Sequence, residues 1–260
     1  MTVTLQPTAN NADDPTTPVI EVDSLCVRFR TPDGVVGAVT DVSFHINPGE
    51  VLAVVGESGS GKSVTALALM RLHPKNTEIT GDVRFGGIDL LALNEREMQS
   101  IRGRDIAMIF QDPMTAMNPV FSVGDQLVEA IRLHNDVTKK EAWTRAVDLL
   151  ALVGVPEPRG RASQYPHEYS GGMRQRAMIA MAIANDPKLL IADEPTTALD
   201  VTVQAQVMEV LHAVKEETGT AIMLITHDLG LVAGSADRVQ VMYASRLFEA
   251  AGVDDIFYNS

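Results

Sequence analysis

Apolar and polar positions alternate along residues 19–29, the period of a strand with one face buried. Pro32-Asp33-Gly34 reads as a turn, residues 39–46 as a returning strand, and Asn47-Pro48-Gly49 as a second turn. The pattern then changes. Residues 51–55 are continuously apolar, as in a strand covered on both faces, and similar runs recur at 106–110, 189–192, 221–225 and 239–242. Helical spacing fills the gaps at 63–72, 139–152, 173–184 and 203–217. Strands alternating with helices predict an α/β core with a mainly parallel sheet, preceded by an antiparallel β subdomain. From about 113 to 170 the pattern is helical with no buried strand, which predicts an inserted helical subdomain. Residues 1–18, rich in Thr, Pro, Asn and Asp, read as a mobile tail and leave 19–260 as one domain. There is no internal repeat.

Composition narrows the classes. With 260 residues, 45% of them hydrophobic, the chain can bury a core without disulfides or metals. Its single cysteine, Cys26, excludes a disulfide framework, fits a reducing compartment, and reads as a buried strand residue. No apolar run approaches the ~18 residues that a membrane span needs, and the first residues lack a signal-peptide pattern. Any link to a membrane is therefore expected through a partner. A net charge of −13 argues against nucleic acid or anionic lipid as that partner.

Gly56-Glu57-Ser58-Gly59-Ser60-Gly61-Lys62-Ser63 fits the phosphate-loop pattern in full, with an apolar strand before it and a helix after it. Glycines let successive backbone N–H groups converge on one phosphate, and the helix N-terminus favours an anion. Lys62 brings a cation to the β- and γ-phosphates, and the Ser63 hydroxyl can ligate Mg²⁺. The run 189–192 places Asp193 at the end of a buried strand, where open parallel sheets hold their ligands. Asp193 is expected to face Mg²⁺, and Glu194 to polarise an attacking water as general base. A plainer reading makes this pair a helix cap.

Tyr169-Ser170-Gly171-Gly172-Met173-Arg174-Gln175-Arg176 resembles the signature of ABC ATPases, with Tyr and Met at the ends of the usual Leu-Ser-Gly-Gly-Gln. The resemblance runs from Val19 to about Ala244, in the family's order. Gln111 resembles the Q-loop glutamine, a candidate for sensing Mg²⁺ and water. Thr197-Ala198-Leu199-Asp200 resembles the D-loop, and His227 the switch histidine. Phe29 sits where the family places an aromatic against adenine, with a core role as the alternative. By this resemblance ATP is the nucleotide, the segment Ser170-Gly171-Gly172 covers the γ-phosphate of ATP on an opposite subunit, and Asp200 lies nearby. The resemblance also implies transmembrane permease subunits, a second ATPase (a paralogue, with a homodimer as alternative), an indirect solute-binding protein, and a peripheral place on the cytoplasmic face of the membrane. Residues 111–119, Gln-Asp-Pro-Met-Thr-Ala-Met-Asn-Pro, resemble importers of dipeptides, oligopeptides or nickel. Such ATPases usually continue past the position of Ser260, so their C-terminal extension is absent by this reading, and Ser245 stands where they often have glycine. The alternatives are an ABC protein acting on nucleic acid or ribosomes, disfavoured by one phosphate loop and an acidic chain, and a small-molecule kinase. His45, His73, His134, His167, His212, Trp143 and the methionines of 173–181 read as structural.

Overall fold

A computed structural model describes residues 17–112, 116–197 and 199–258. Most of the proposed tail (1–16), Pro113, Met114 and Thr115 of the 111–119 stretch, Ala198, Asn259 and Ser260 lie outside the described residues. The chain runs β1 (Ile20–Thr31), β2 (Gly34–Ile46), β3 (Val51–Gly56), α1 (Lys62–Leu69), β4 (Thr77–Phe85), β5 (Ile88–Asp89), α2 (Glu95–Ile101) and β6 (Ile106–Ile109). Helices follow: α3 (Val123–His134), α4 (Lys139–Leu152), α5 (Pro158–Arg161) and α6 (Gly171–Ala182). The chain then forms β7 (Leu189–Asp193), α7 (Val201–Thr218), β8 (Ala221–Thr226), α8 (Leu229–Ala233), β9 (Arg238–Tyr243), β10 (Arg246–Gly252) and α9 (Val253–Tyr258).

Two sheets result. A four-stranded antiparallel sheet has the order β2-β1-β4-β5, and a six-stranded sheet the order β10-β9-β3-β8-β7-β6. In the second sheet all neighbours are parallel except the β9–β10 hairpin. The continuous apolar runs have a simple cause. Alternate residues of one strand serve two cores: Leu189 and Ile191 join the cluster under the antiparallel sheet, while Leu190 and Ala192 join the cluster under the helices. The first cluster unites Leu25, Val39, Leu52, Leu69 and Ile225, and so welds the antiparallel sheet to the parallel one. The second packs Leu127 and Ile131 of α3, Leu150 of α4, Ile179 of α6 and Leu211 of α7 against β6, β7 and β8.

The predicted α/β architecture, with its antiparallel sheet and its helical stretch between β6 and α6, is present. The antiparallel sheet is larger than its alternation predicts, because β4 and β5 join it. Gly81 hides β4 by breaking the apolar pattern. At φ +107° a Cβ there would sit 2.7 Å or less from the carbonyl oxygens of Asp23 and Ser24, where β1 bulges. Helix α6 starts two residues earlier than its periodicity suggests, at Gly171, because Ser170 caps it: the Ser170 hydroxyl accepts from the Met173 N–H at 3.3 Å. Cys26 is half-buried rather than buried, and its Sγ accepts from the Asp41 N–H. Trp143, Met173 and Met181 pack against the helical core as expected. Among the described residues no helix is long and apolar enough to cross a membrane.

Candidate functional site

Strand β3 ends in a loop that turns directly into α1. Gly56, Gly59 and Gly61 have φ of +154°, +81° and +105°, values that L side chains rarely adopt. Space is short as well: a Cβ on Gly56 would lie 2.2 Å from the Met242 carbonyl oxygen, and one on Gly61 2.6 Å from that of Ala38. No side chain caps α1 and no acidic residue occupies its first turn. Its leading N–H groups are therefore directed at the loop, the arrangement that receives an anion. Inside the loop the Ser60 hydroxyl is buried without a hydrogen-bond partner, a polar atom that a phosphate oxygen would satisfy.

Lys62 is buried, and its Nζ donates to the carbonyl oxygens of Gly56 (2.7 Å) and Glu57 (2.8 Å). Burial pulls its pKa below the usual lysine value, while the Glu194 and Asp193 carboxylates oppose that shift. The Ser63 hydroxyl donates to Asp193 Oδ1 at 2.9 Å. Asp193 closes β7 and is buried; burial raises its pKa, with the Ser63 hydrogen bond working the other way. A cation beside this carboxylate would favour its charged form. The donor set Ser63 Oγ and Asp193 Oδ1 is made of hard oxygens, the kind that Mg²⁺ takes in small number alongside substrate phosphates. Among the described residues no group of three or more His, Cys, Asp or Glu could hold a metal by itself.

Three parallel strands end on the same edge and bring the remaining polar groups together. Gln111 follows β6, Glu194 follows β7 and His227 follows β8. Gln111 Nε2 donates to Glu194 Oε2 at 2.8 Å, and His227 Nδ1 lies 3.4 Å from Glu194 Oε1. The side chain of Glu194 is 18% exposed and that of His227 63%, so the carboxylate is shielded and the imidazole faces solvent. Glu194 adopts φ +47°, uncommon for a residue with a side chain, while its N–H donates to the Ile225 carbonyl of β8. One contact went unread in the sequence: the Thr197 hydroxyl donates to Glu194 Oε2 at 2.8 Å. Its signal was local, a proline-bearing turn of four residues that starts at Glu194.

Two predicted groups make contacts of their own. Phe29 meets His73 edge-on with ring centroids 5.5 Å apart, and His73 Nε2 is 2.9 Å from the Val64 carbonyl, one residue past Ser63. Ser170 caps α6 and Asp200 caps α7, accepting from the Val203 N–H. The same Val203 packs against Gly172, where a Cβ would lie 2.9 Å from its Cγ1. At Gly171, by contrast, a Cβ would meet nothing within 4 Å.

Residues 39–197 match the family described as ABC transporter. The chain is 54% identical over 245 residues to the oligopeptide transport ATP-binding protein OppD of Bacillus subtilis, covering 94% of this chain and 68% of that protein. The chain belongs to the ABC transporter ATP-binding family. Another member, OppD of Salmonella typhimurium, is 54% identical over 256 residues, 98% of this chain and 76% of that protein. The ATP-binding cassette MJ0796, solved as a dimer in a post-hydrolysis state with ADP and Pi, superposes with a TM-score of 0.81 at 25% identity, over 90% of this chain and 98% of that one. As an ABC cassette the chain binds ATP and hydrolyses it.

Proposed function

We propose that this ATPase energises the uptake of peptides through permease subunits at the cytoplasmic face of a membrane, working as one half of a pair of cassettes. The observation that carries the transport reading is the 54% identity to proteins named as oligopeptide transport ATP-binding proteins. Relatives named as peptide import ATP-binding proteins in Brucella, 53% identical, point the same way. In this reading an external solute-binding protein selects the substrate, and the second cassette is a paralogue.

The chemistry follows from the site. The loop 56–61 and the N-terminus of α1 receive the phosphates, and Lys62 exchanges loop carbonyls for phosphate oxygens at small cost because both are acceptors. Ser63 and Asp193, with Gln111 beside them, would hold Mg²⁺, which when bound supplies positive charge against the phosphate oxygens. Phe29 offers a ring to adenine. Glu194 orients water in line with the γ-phosphorus and takes its proton as the new P–O bond forms and the bond to the bridging oxygen breaks, releasing ADP. His227, exposed beside Glu194, braces the γ-phosphate.

Gly171 supports the pairing. Among the described residues nothing would crowd a Cβ there, so the open space suits close approach by another molecule. Ser170, Gly171, Gly172 and Asp200 would therefore meet the nucleotide of the partner cassette. The residues after Gln111, where the helical subdomain (about 113–170) begins, would grip a short cytoplasmic helix of the permease. An apolar hollow of about 280 Å³ between β6 and α6, lined by Met70, Met108, Phe110, Met178 and Met181, suits a short apolar helix of that permease.

The test is affinity co-purification of the tagged chain from native membranes with identification of every partner. Multi-span permeases, a second ATPase and a solute-binding protein are expected. Ribosomal or DNA-repair partners without a permease would overturn the transport reading. For the chemistry, Glu194→Gln is expected to keep ATP affinity and lose at least a hundredfold in turnover; a normal rate would remove the base assignment.

A further inference from the structure

The two oxygens of the Glu194 carboxylate are not equivalent. Oε2 accepts both the Thr197 hydroxyl and the Gln111 amide, each at 2.8 Å, while Oε1 faces the exposed His227 ring at 3.4 Å. The two donors come from different segments of the chain. Gln111 arrives from the end of β6, whereas Thr197 is tied to the same turn as the carboxylate it holds: the Thr197 N–H donates to the Glu194 carbonyl at 3.1 Å. Pro195, buried at the second position of that turn, presets its backbone. Glu194 itself is pinned at φ +47° by its N–H bond to Ile225. The long Glu194 side chain can point its carboxylate in more than one direction, and a fixed donor on one oxygen selects among them.

We infer that Thr197 is a positioning residue for hydrolysis: its hydroxyl, with Gln111, saturates Oε2 and turns Oε1 toward His227 as the oxygen that accepts the proton of the attacking water. The inference rests on the assignment of Glu194 as general base. It also separates the two donors. Gln111 lies on a different strand end, so its amide can leave Oε2 while Thr197, held in the turn, keeps the carboxylate aimed.

Thr197→Val keeps the volume and branching of the side chain and removes the donor. With purified chain and Mg–ATP, kcat is expected to fall about tenfold, the scale of one hydrogen bond to a charged group. KM for ATP and the thermal midpoint should stay at the parent's values, since neither the phosphate loop nor the core is touched. Thr197→Ser restores the donor and is expected to recover most of kcat, which a purely structural role for the threonine methyl would not permit. A Thr197→Val enzyme at parental kcat, or a Thr197→Ser enzyme as slow as Thr197→Val, overturns the inference. Glu194→Gln assayed beside them distinguishes the levels: if it turns over at the parental rate, the general-base reading fails; if it is inactive while Thr197→Val is normal, only the role of Thr197 fails.

Discussion

Single residues in this chain carry backbone costs that reveal their roles. Ala244 and Ser245, with φ of +46° and +68°, form the two-residue turn between Tyr243 of β9 and its partner Arg246 of β10. Both positions of such a turn require positive φ, which glycine or asparagine adopts most readily. Ser245→Gly is expected to stabilise the chain by roughly 0.5–1 kcal/mol, the relieved strain exceeding the added freedom of the unfolded chain; urea denaturation checks this. The family's glycine at that position, noted from sequence alone, thereby acquires a physical reason. Gly171 makes the opposite case. Gly171→Ala should leave the thermal midpoint unchanged, because its Cβ would meet nothing, yet cut ATPase activity at least tenfold if a partner's phosphate must approach there. Calorimetry and steady-state turnover on one preparation separate the two effects.

At the scale of elements, caps decide where helices begin. Thr138 and Glu141 form a reciprocal capping box at the start of α4, and the same device starts α2 with Asn94 and Glu97. Thr138→Ala is expected to cost about 1 kcal/mol. The Thr138 hydroxyl and backbone hold the Glu141 carboxyl below its ordinary pKa. The sign follows: a depressed carboxylate contributes stability above its unfolded pKa, near 4.3, and that stability is lost as pH falls toward the lower folded value. Thermal midpoints between pH 5 and pH 3 should therefore fall less steeply in Thr138→Ala. The capped start of α4 was legible, since its periodicity placed the helix at 139–152, where it stands. β4 was not, because Gly81 answers to a bulge in β1, a neighbour that no local pattern names.

Across the whole molecule, the parallel edge gathers what the sequence scatters. Gln111, Glu194 and His227 are separated by 83 and 33 positions, yet meet because β6, β7 and β8 run parallel and end together. Ser170 and Asp200 spend their side-chain hydrogen bonds on capping their own helices rather than on that edge. A second cassette is the natural complement to such a divided site. Glu194→Gln with ATP is expected to accumulate as a dimer by light scattering, while the same protein without nucleotide stays monomeric; a monomer in both conditions would remove the pairing proposal.

The amino-acid sequence sufficed for the glycine-rich loop proposed to hold phosphate, the alternation of buried strands and helices, and the class of the chain, because each depends on residue type and short-range spacing. The phosphate loop needs its glycines wherever it sits, and a doubly covered strand must be apolar throughout. Tertiary structure alone decided which donors meet the Glu194 carboxylate, how Gly171 and Gly172 differ, and why Ser60 is left without a partner. Thr197 reaches Glu194 within one turn, but the rest depend on distances between segments far apart in the chain, set by how the sheets and helices pack, which spacing along the sequence does not encode locally.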